Sequence, residues 1–151
     1  MDATTLIHFR ELGAAAVLGL SATGSGLGAG VASLAAIGAW KKAFAQNKAT
    51  PFLLAAFVSA PLTHTFYGMV VMRTILAATQ QSVYLWWLGI FSGLAIGVSA
   101  WMQGMASAAA SDAYGETGKG AAKYFIVIGI IESVAIFVLA FSLMAIGMIT
   151  G

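Results

Sequence analysis

The sequence predicts an all-α membrane protein, with four transmembrane helices arranged as two tandem antiparallel hairpins. Three observations predict it. Hydrophobic residues make up 60% of the 151 positions and charged residues 8%, with a mean hydropathy of +0.93, so a soluble core of this size cannot hide the apolar surface. Four mostly apolar stretches each reach the roughly 20 residues that a helix needs to cross a bilayer. Lys41, Lys42, Lys48, Lys119 and Lys123 all flank the first and third of the polar breaks between those stretches, which a zigzag chain puts on one side.

The first helix is expected near 12–44 and ends at the break Lys41-Lys42 to Lys48, before Pro51. Its amino end, Met1 to Glu11, carries acidic residues and no basic segment leading into a short apolar run. It does not read as a removable signal, so the first span is expected in the mature protein. The second helix is expected near 51–78, with Pro51 in its first turn, where a missing amide proton is tolerated. An uncharged break, Thr79 to Val83, leads to the third helix near 84–112, and Asp112 to Gly120 leads to the fourth near 120–149. The hairpins are then 1–80 and 81–151. Helices one and three exceed the minimum length, which implies tilt or protrusion.

The positive-inside rule puts the two lysine-flanked loops in the cytoplasm and both termini outside, with Tyr84, Trp86 and Trp87 in an outer aromatic belt. A shift of seventy residues superposes the halves: Leu18-Gly19 falls on Leu88-Gly89, and Ala36 and Ala39 on Ala106 and Ala109. There is no cysteine, hence no disulfide framework or thiolate metal site. The lysines at helix ends account for the net charge of +2, so nucleic acid is not an expected partner. No glycine-rich phosphate loop with a following lysine and hydroxyl residue is present, so the chain by itself is not expected to act on ATP.

Helix one is dense in glycine. Gly24 with Gly28 and Gly26 with Gly30 stand four apart, a spacing that lets helix backbones approach closely in lipid. Helix three repeats the habit through Gly93, Gly97, Ala100, Gly104, Ser107 and Ala108. Packing inside one chain explains part of this pattern, and glycines on nearly every face of helix one suggest the crowded inner wall of a ring.

Glu132 is the only charged residue between Phe125 and Met144. A carboxylate in hydrocarbon is expensive, and such a residue is normally used for ions or protons. Reflecting Glu132 through the turn between helices three and four gives Gln103, an amide that also needs a partner, so the two are expected to meet. In helix two, Thr63 and Tyr67 stand four apart on one face, and Pro61 leaves the carbonyl about one turn before it, near Phe57, without its helical partner, so that nearby carbonyls can turn toward an ion, with Ala60 as a candidate ligand. Glu132, Gln103, Thr63, Tyr67 and one backbone carbonyl form an expected five-oxygen cage, suited to sodium or, with Glu132 protonated, to a proton. His64 has three readings: a further ligand, a proton-sharing neighbour of Glu132, or a polar residue bonded to a helix carbonyl. Arg73 is expected to snorkel to the outer interface or to pair with a neighbouring protomer.

With the glycine-rich first helix, Pro61 to Gly68, Met102-Gln103-Gly104 and Glu132, nearly the whole chain resembles the proteolipid or K subunits of V-type rotary ATPases, a duplicated two-helix form. In sodium-transporting relatives the corresponding segment reads Pro-Gly-Thr-Gln followed by Tyr-Gly. Thr63, Tyr67, Gln103 and Glu132 match that pattern, whereas Leu62 stands in place of glycine and His64 in place of glutamine. The resemblance implies a homo-oligomeric rotor ring in the lipid bilayer, turning against a stator membrane subunit whose arginine displaces the ion at each Glu132. It further implies a central-stalk subunit on the cytoplasmic side and no organic cofactor. The transported ion is expected to be sodium, with a proton as the alternative. Two other classes compete: a small four-helix cation or multidrug transporter, and a structural membrane oligomer in which Glu132 merely pairs internally.

Overall fold

The computed structural model describes residues 2–79 and 82–150. Gln80 and Gln81, at the expected hairpin boundary, and the terminal Met1 and Gly151 lie outside the described residues. All regular structure among the described residues is helical: α1 (Ala3–Ala45), α2 (Leu54–Ser59), a 3-10 turn (Ala60–Leu62), α3 (Thr63–Ala77), α4 (Tyr84–Thr117) and α5 (Ala121–Thr150). Together α2, the turn and α3 form one span, and the four resulting helices are long and apolar enough to cross a membrane. The chain is an integral membrane protein.

Helix α1 begins at Ala3 rather than near 12. Asp2 caps it, accepting a hydrogen bond from the Thr5 amide at 2.8 Å, so an N-terminal turn forms on polar residues that hydropathy alone reads as lead-in. At about 1.5 Å per residue, 43 residues run well beyond the ~30 Å hydrocarbon layer, so α1 projects from the bilayer. Its far end closes with Asn47 in the left-handed region (φ 52) and the Lys48 amide bonded back to the Ala43 carbonyl at 2.9 Å. Pro51 does not open the next helix. It lies in the connecting turn, where its carbonyl accepts the Trp40 indole proton at 3.0 Å, and α2 starts at Leu54. Helix α4 runs on to Thr117, past Asp112, and stops where Gly118 turns left-handed (φ 64) with its amide on the Tyr114 carbonyl. Lys42 pairs with Glu116, which ties the ends of α1 and α4 together and sets the two turns at the same end of the bundle.

The chain direction makes α1 and α4 parallel, and they form the closest pair in the bundle. Gly13 meets Gly89, Val17 meets Gly93, Gly24 meets Gly97 and Gly28 meets Gly104, with backbone where a side chain would otherwise stand. A Cβ on Gly24 would collide with the backbone of Gly97, and one on Gly104 with that of Gly28. In space the partners are offset by 73 to 76 residues (24 to 97, 13 to 89, 28 to 104), not by the seventy that align the sequence features. Helices α3 and α5 lie outside this pair. Much of α5 is uncovered, including Ile126, Ile130, Val134, Phe137 and Phe141.

Two apolar clusters occupy the ends of the bundle. One gathers Val17, Val71, Ile75, Leu85 and Ile146, and the other Ala36, Leu54, Phe57, Ala110 and Ile128. Between them lies a buried polar layer with His64, Ser99 and Gln103. Apolar packing above and below fixes the depth of that layer, and with it the depth of the site.

Candidate functional site

Pro61 builds the site from the backbone upward. Its ring and missing amide proton tighten the chain into the 3-10 turn Ala60–Leu62, from which α3 restarts at Thr63. Gly28 of α1 makes room for this turn, since a Cβ there would sit 3.1 Å from the Pro61 Cβ as well as against the Ala100 carbonyl. The restart aims Thr63 and Tyr67, one turn apart on α3, at α5.

Both hydroxyls reach the same atom. Thr63 Oγ1 donates to Glu132 Oε1 at 2.8 Å, and Tyr67 donates to the same oxygen at 2.7 Å. Hydrogen bonds to an ionised oxygen are the strong kind, so together they stabilise a carboxylate that lipid disfavours. Thr63 Oγ1 also lies 3.0 Å from the Ala60 carbonyl. The hydroxyl has one proton, so it serves either Glu132 or Ala60 at any moment. Glu132 itself is part-buried at the edge of the bundle, whereas Leu62, the position it superposes on at the seventy-residue shift, is 48% exposed.

Gln103 is fully buried, and its amide donates to the Ile128 carbonyl at 3.1 Å, one turn before Glu132 on α5. Its own oxygen, Oε1, is buried with no partner. The Gln103 amide thus makes its hydrogen bond to the Ile128 backbone, while lying near enough to the Glu132 carboxylate to act on it as well. Reflection through the turn takes the hairpin as unstaggered, but α4 and α5 pair Gln103 with Ile128 and Ser99 with Ile131, which brings Ser99 to the level of Glu132.

His64 is completely buried on the inner side of α3. Its Nε2 lies 3.1 Å from Ser99 Oγ, which donates in turn to the Ile131 carbonyl at 3.0 Å. Its Nδ1 lies 3.4 Å from Thr63 Oγ1. The ring thus bridges the Thr63 side of the site and α4. Ser99 is a site residue that spacing along the chain does not single out as a partner of Glu132. A signal for it exists all the same: Ser99, Gln103, Ser107 and Ser111 recur every four residues in α4, and all four are buried. Arg73 is exposed toward the C-terminal end of α3, six residues beyond Tyr67.

The structure thus joins Thr63, Tyr67, Glu132, His64 and the Ala60 carbonyl in one hydrogen-bonded group, with Gln103 behind it. A carboxylate, two hydroxyls and a backbone carbonyl of this kind form a hard donor set. Residues 87–145 match the family model of the ATP synthase C subunits, the membrane proteolipids. The matched stretch covers most of α4 and α5, including Ser99, Gln103 and Glu132, and does not reach the first hairpin. No curated protein matches the chain.

Proposed function

We propose that this chain is the ion-carrying rotor-ring subunit of a V-type ATPase membrane sector, and that each copy carries one sodium ion, or failing that a proton, on Glu132. The observation that carries this reading is the convergence of Thr63 and Tyr67 on one oxygen of a part-buried carboxylate at the edge of a membrane bundle. The match of the second hairpin to the ATP synthase proteolipids supports it. So does the unpartnered, buried oxygen of Gln103, a neutral acceptor on a side chain bonded to α5 one turn before Glu132.

The proposed cycle follows from charge. A bound cation or proton neutralises Glu132 while the protomer faces lipid, and a cationic group on a stator stabilises the empty carboxylate when the ion leaves. In the loaded state Thr63, Tyr67 and Gln103 offer oxygen atoms to a cation, and the Ala60 carbonyl takes the Thr63 proton. The exposed faces of α1 and α5 would pack on neighbouring copies in the ring. The loops between α1 and α2 and between α4 and α5 would face the cytoplasm and the central stalk.

Two measurements on the full chain in mild detergent test this. Dicyclohexylcarbodiimide attacks a protonated carboxyl in apolar surroundings, so it should modify Glu132 selectively, and sodium at constant pH should protect. Protection by raised pH alone, with sodium without effect, would assign the proton. The native mass should be that of a large closed ring, and a dimer would refute the rotor reading in favour of a small transporter.

A further inference from the structure

We propose that Ser99 is a positioning residue that holds neutral His64 as its Nε2–H tautomer, leaving the Nδ1 lone pair turned toward Thr63 and the Glu132 site. A neutral imidazole has one N–H and one lone pair, and burial obliges the N–H to find an acceptor. Three acceptors are near: Ser99 Oγ at 3.1 Å from Nε2, Thr63 Oγ1 at 3.4 Å from Nδ1, and the Pro61 carbonyl, which makes no well-aligned hydrogen bond to the ring. The first is the better bond, and it is available because the Ser99 hydroxyl spends its single proton on the Ile131 carbonyl at 3.0 Å. A continuous chain results, His64 Nε2–H to Ser99 to Ile131, in which every proton has one acceptor. The reversed chain, with Ser99 donating to Nε2, would leave the imidazole N–H to share the 3.4 Å contact with Thr63, at the limit of a useful hydrogen bond, and the poorly aligned Pro61 carbonyl.

The tautomer matters for the ion. The Thr63 proton rests on Glu132 Oε1 when the carboxylate is empty. A cation on that carboxylate repels the proton, which then has the Ala60 carbonyl at 3.0 Å and the His64 lone pair at 3.4 Å as receivers. An N–H at Nδ1 would instead point a second proton at Thr63 Oγ1 and occupy a lone pair that a cation needs. Ser99 therefore tunes a site that it does not touch. The tautomer rests on hydrogen bonding alone, whereas its effect on ion affinity rests on the rotor-ring reading.

The test uses the full chain in lipid bilayers, labelled with 15N and 13C in histidine and carrying His8→Gln, so that His64 gives the only imidazole signals. Solid-state NMR above the imidazole titration range should show the unprotonated ring nitrogen correlated with Cγ, which identifies it as Nδ1. An unprotonated nitrogen correlated with Cδ2 would overturn the proposal. Ser99→Ala should bring up the Nδ1–H form and Ser99→Thr should suppress it again; an unchanged tautomer in Ser99→Ala would equally overturn the role of Ser99. Sodium protection of Glu132 from carbodiimide is read on the same samples. Ser99→Ala should raise the protecting concentration roughly two- to tenfold, the effect of one neutral hydrogen bond. Failure of Glu132 to label in the parent chain would count against the rotor reading and leave the NMR result to stand by itself.

Discussion

The Tyr67 hydroxyl reaches across from α3 to donate to Glu132 Oε1 on α5 at 2.7 Å, on the same oxygen that accepts from Thr63. This contact joins the two hairpins at an acidic residue deep within the membrane spans. Tyr67→Phe keeps the ring and removes only the hydroxyl. It takes away an oxygen that the proposed site offers to the cation, so we expect ion affinity to fall. The sodium concentration that half-protects Glu132 from carbodiimide measures it, and an unchanged value would exclude Tyr67 from the site.

Thr63 separates a hydroxyl from its shape. Thr63→Val is nearly isosteric and leaves the 3-10 turn at Pro61 without its side-chain bond to the Ala60 carbonyl. We expect reduced ion affinity with the chain still folded, and recovery in Thr63→Ser, which restores the hydroxyl. Equal affinity in Thr63→Val and the parent would show that the backbone alone shapes this side of the site.

Glu132→Gln replaces the carboxylate by a neutral amide of the same size. Assembly should persist, because the substitution removes a charge from an apolar setting. Carbodiimide labelling and ion transport in reconstituted complexes should both be lost. Transport retained by Glu132→Gln would mean that the ion travels elsewhere.

The contact between α1 and α4 predicts a sharp difference between two neighbouring glycines. A methyl on Gly24 meets the Gly97 backbone, which cannot move aside, whereas a methyl on Gly26 meets nothing within the chain. Gly24→Ala should destabilise the folded chain by about 1–3 kcal/mol through overpacking, and Gly26→Ala should leave it unchanged or slightly more stable. Thermal unfolding of the two variants in mild detergent compares them.

Asp2 gives a small pH effect of known sign. Its bond from Thr5 holds the carboxyl below its usual value of 3.8, so the cap favours the folded turn above the unfolded pKa and weakens as pH falls through the folded one. The protection of the Thr5 amide against hydrogen exchange, taken relative to its intrinsic rate at each pH, should fall on acidification, and Asp2→Ala should show the low protection at neutral pH as well. A Thr5 amide that exchanges alike in both chains would show that the cap is not formed.

Composition alone settles the class of this protein, because so little charge and so much apolar surface admit no solvent but a membrane. The isolation of Glu132 likewise marks, from the chain alone, the residue whose burial needs a reason. Helix periodicity puts Thr63 and Tyr67 on one face because that relation is local. Relations between helices come from the packing. The stagger of α4 against α5 sends the Gln103 amide to Ile128 and brings in Ser99, and the parallel packing of α1 on α4 sets an offset that sequence superposition does not give. Backbone contact at glycine depends on which faces meet, and the direction of the His64 ring on which partner its N–H finds. Neither is encoded in spacing along one helix, so both had to come from the packing of four.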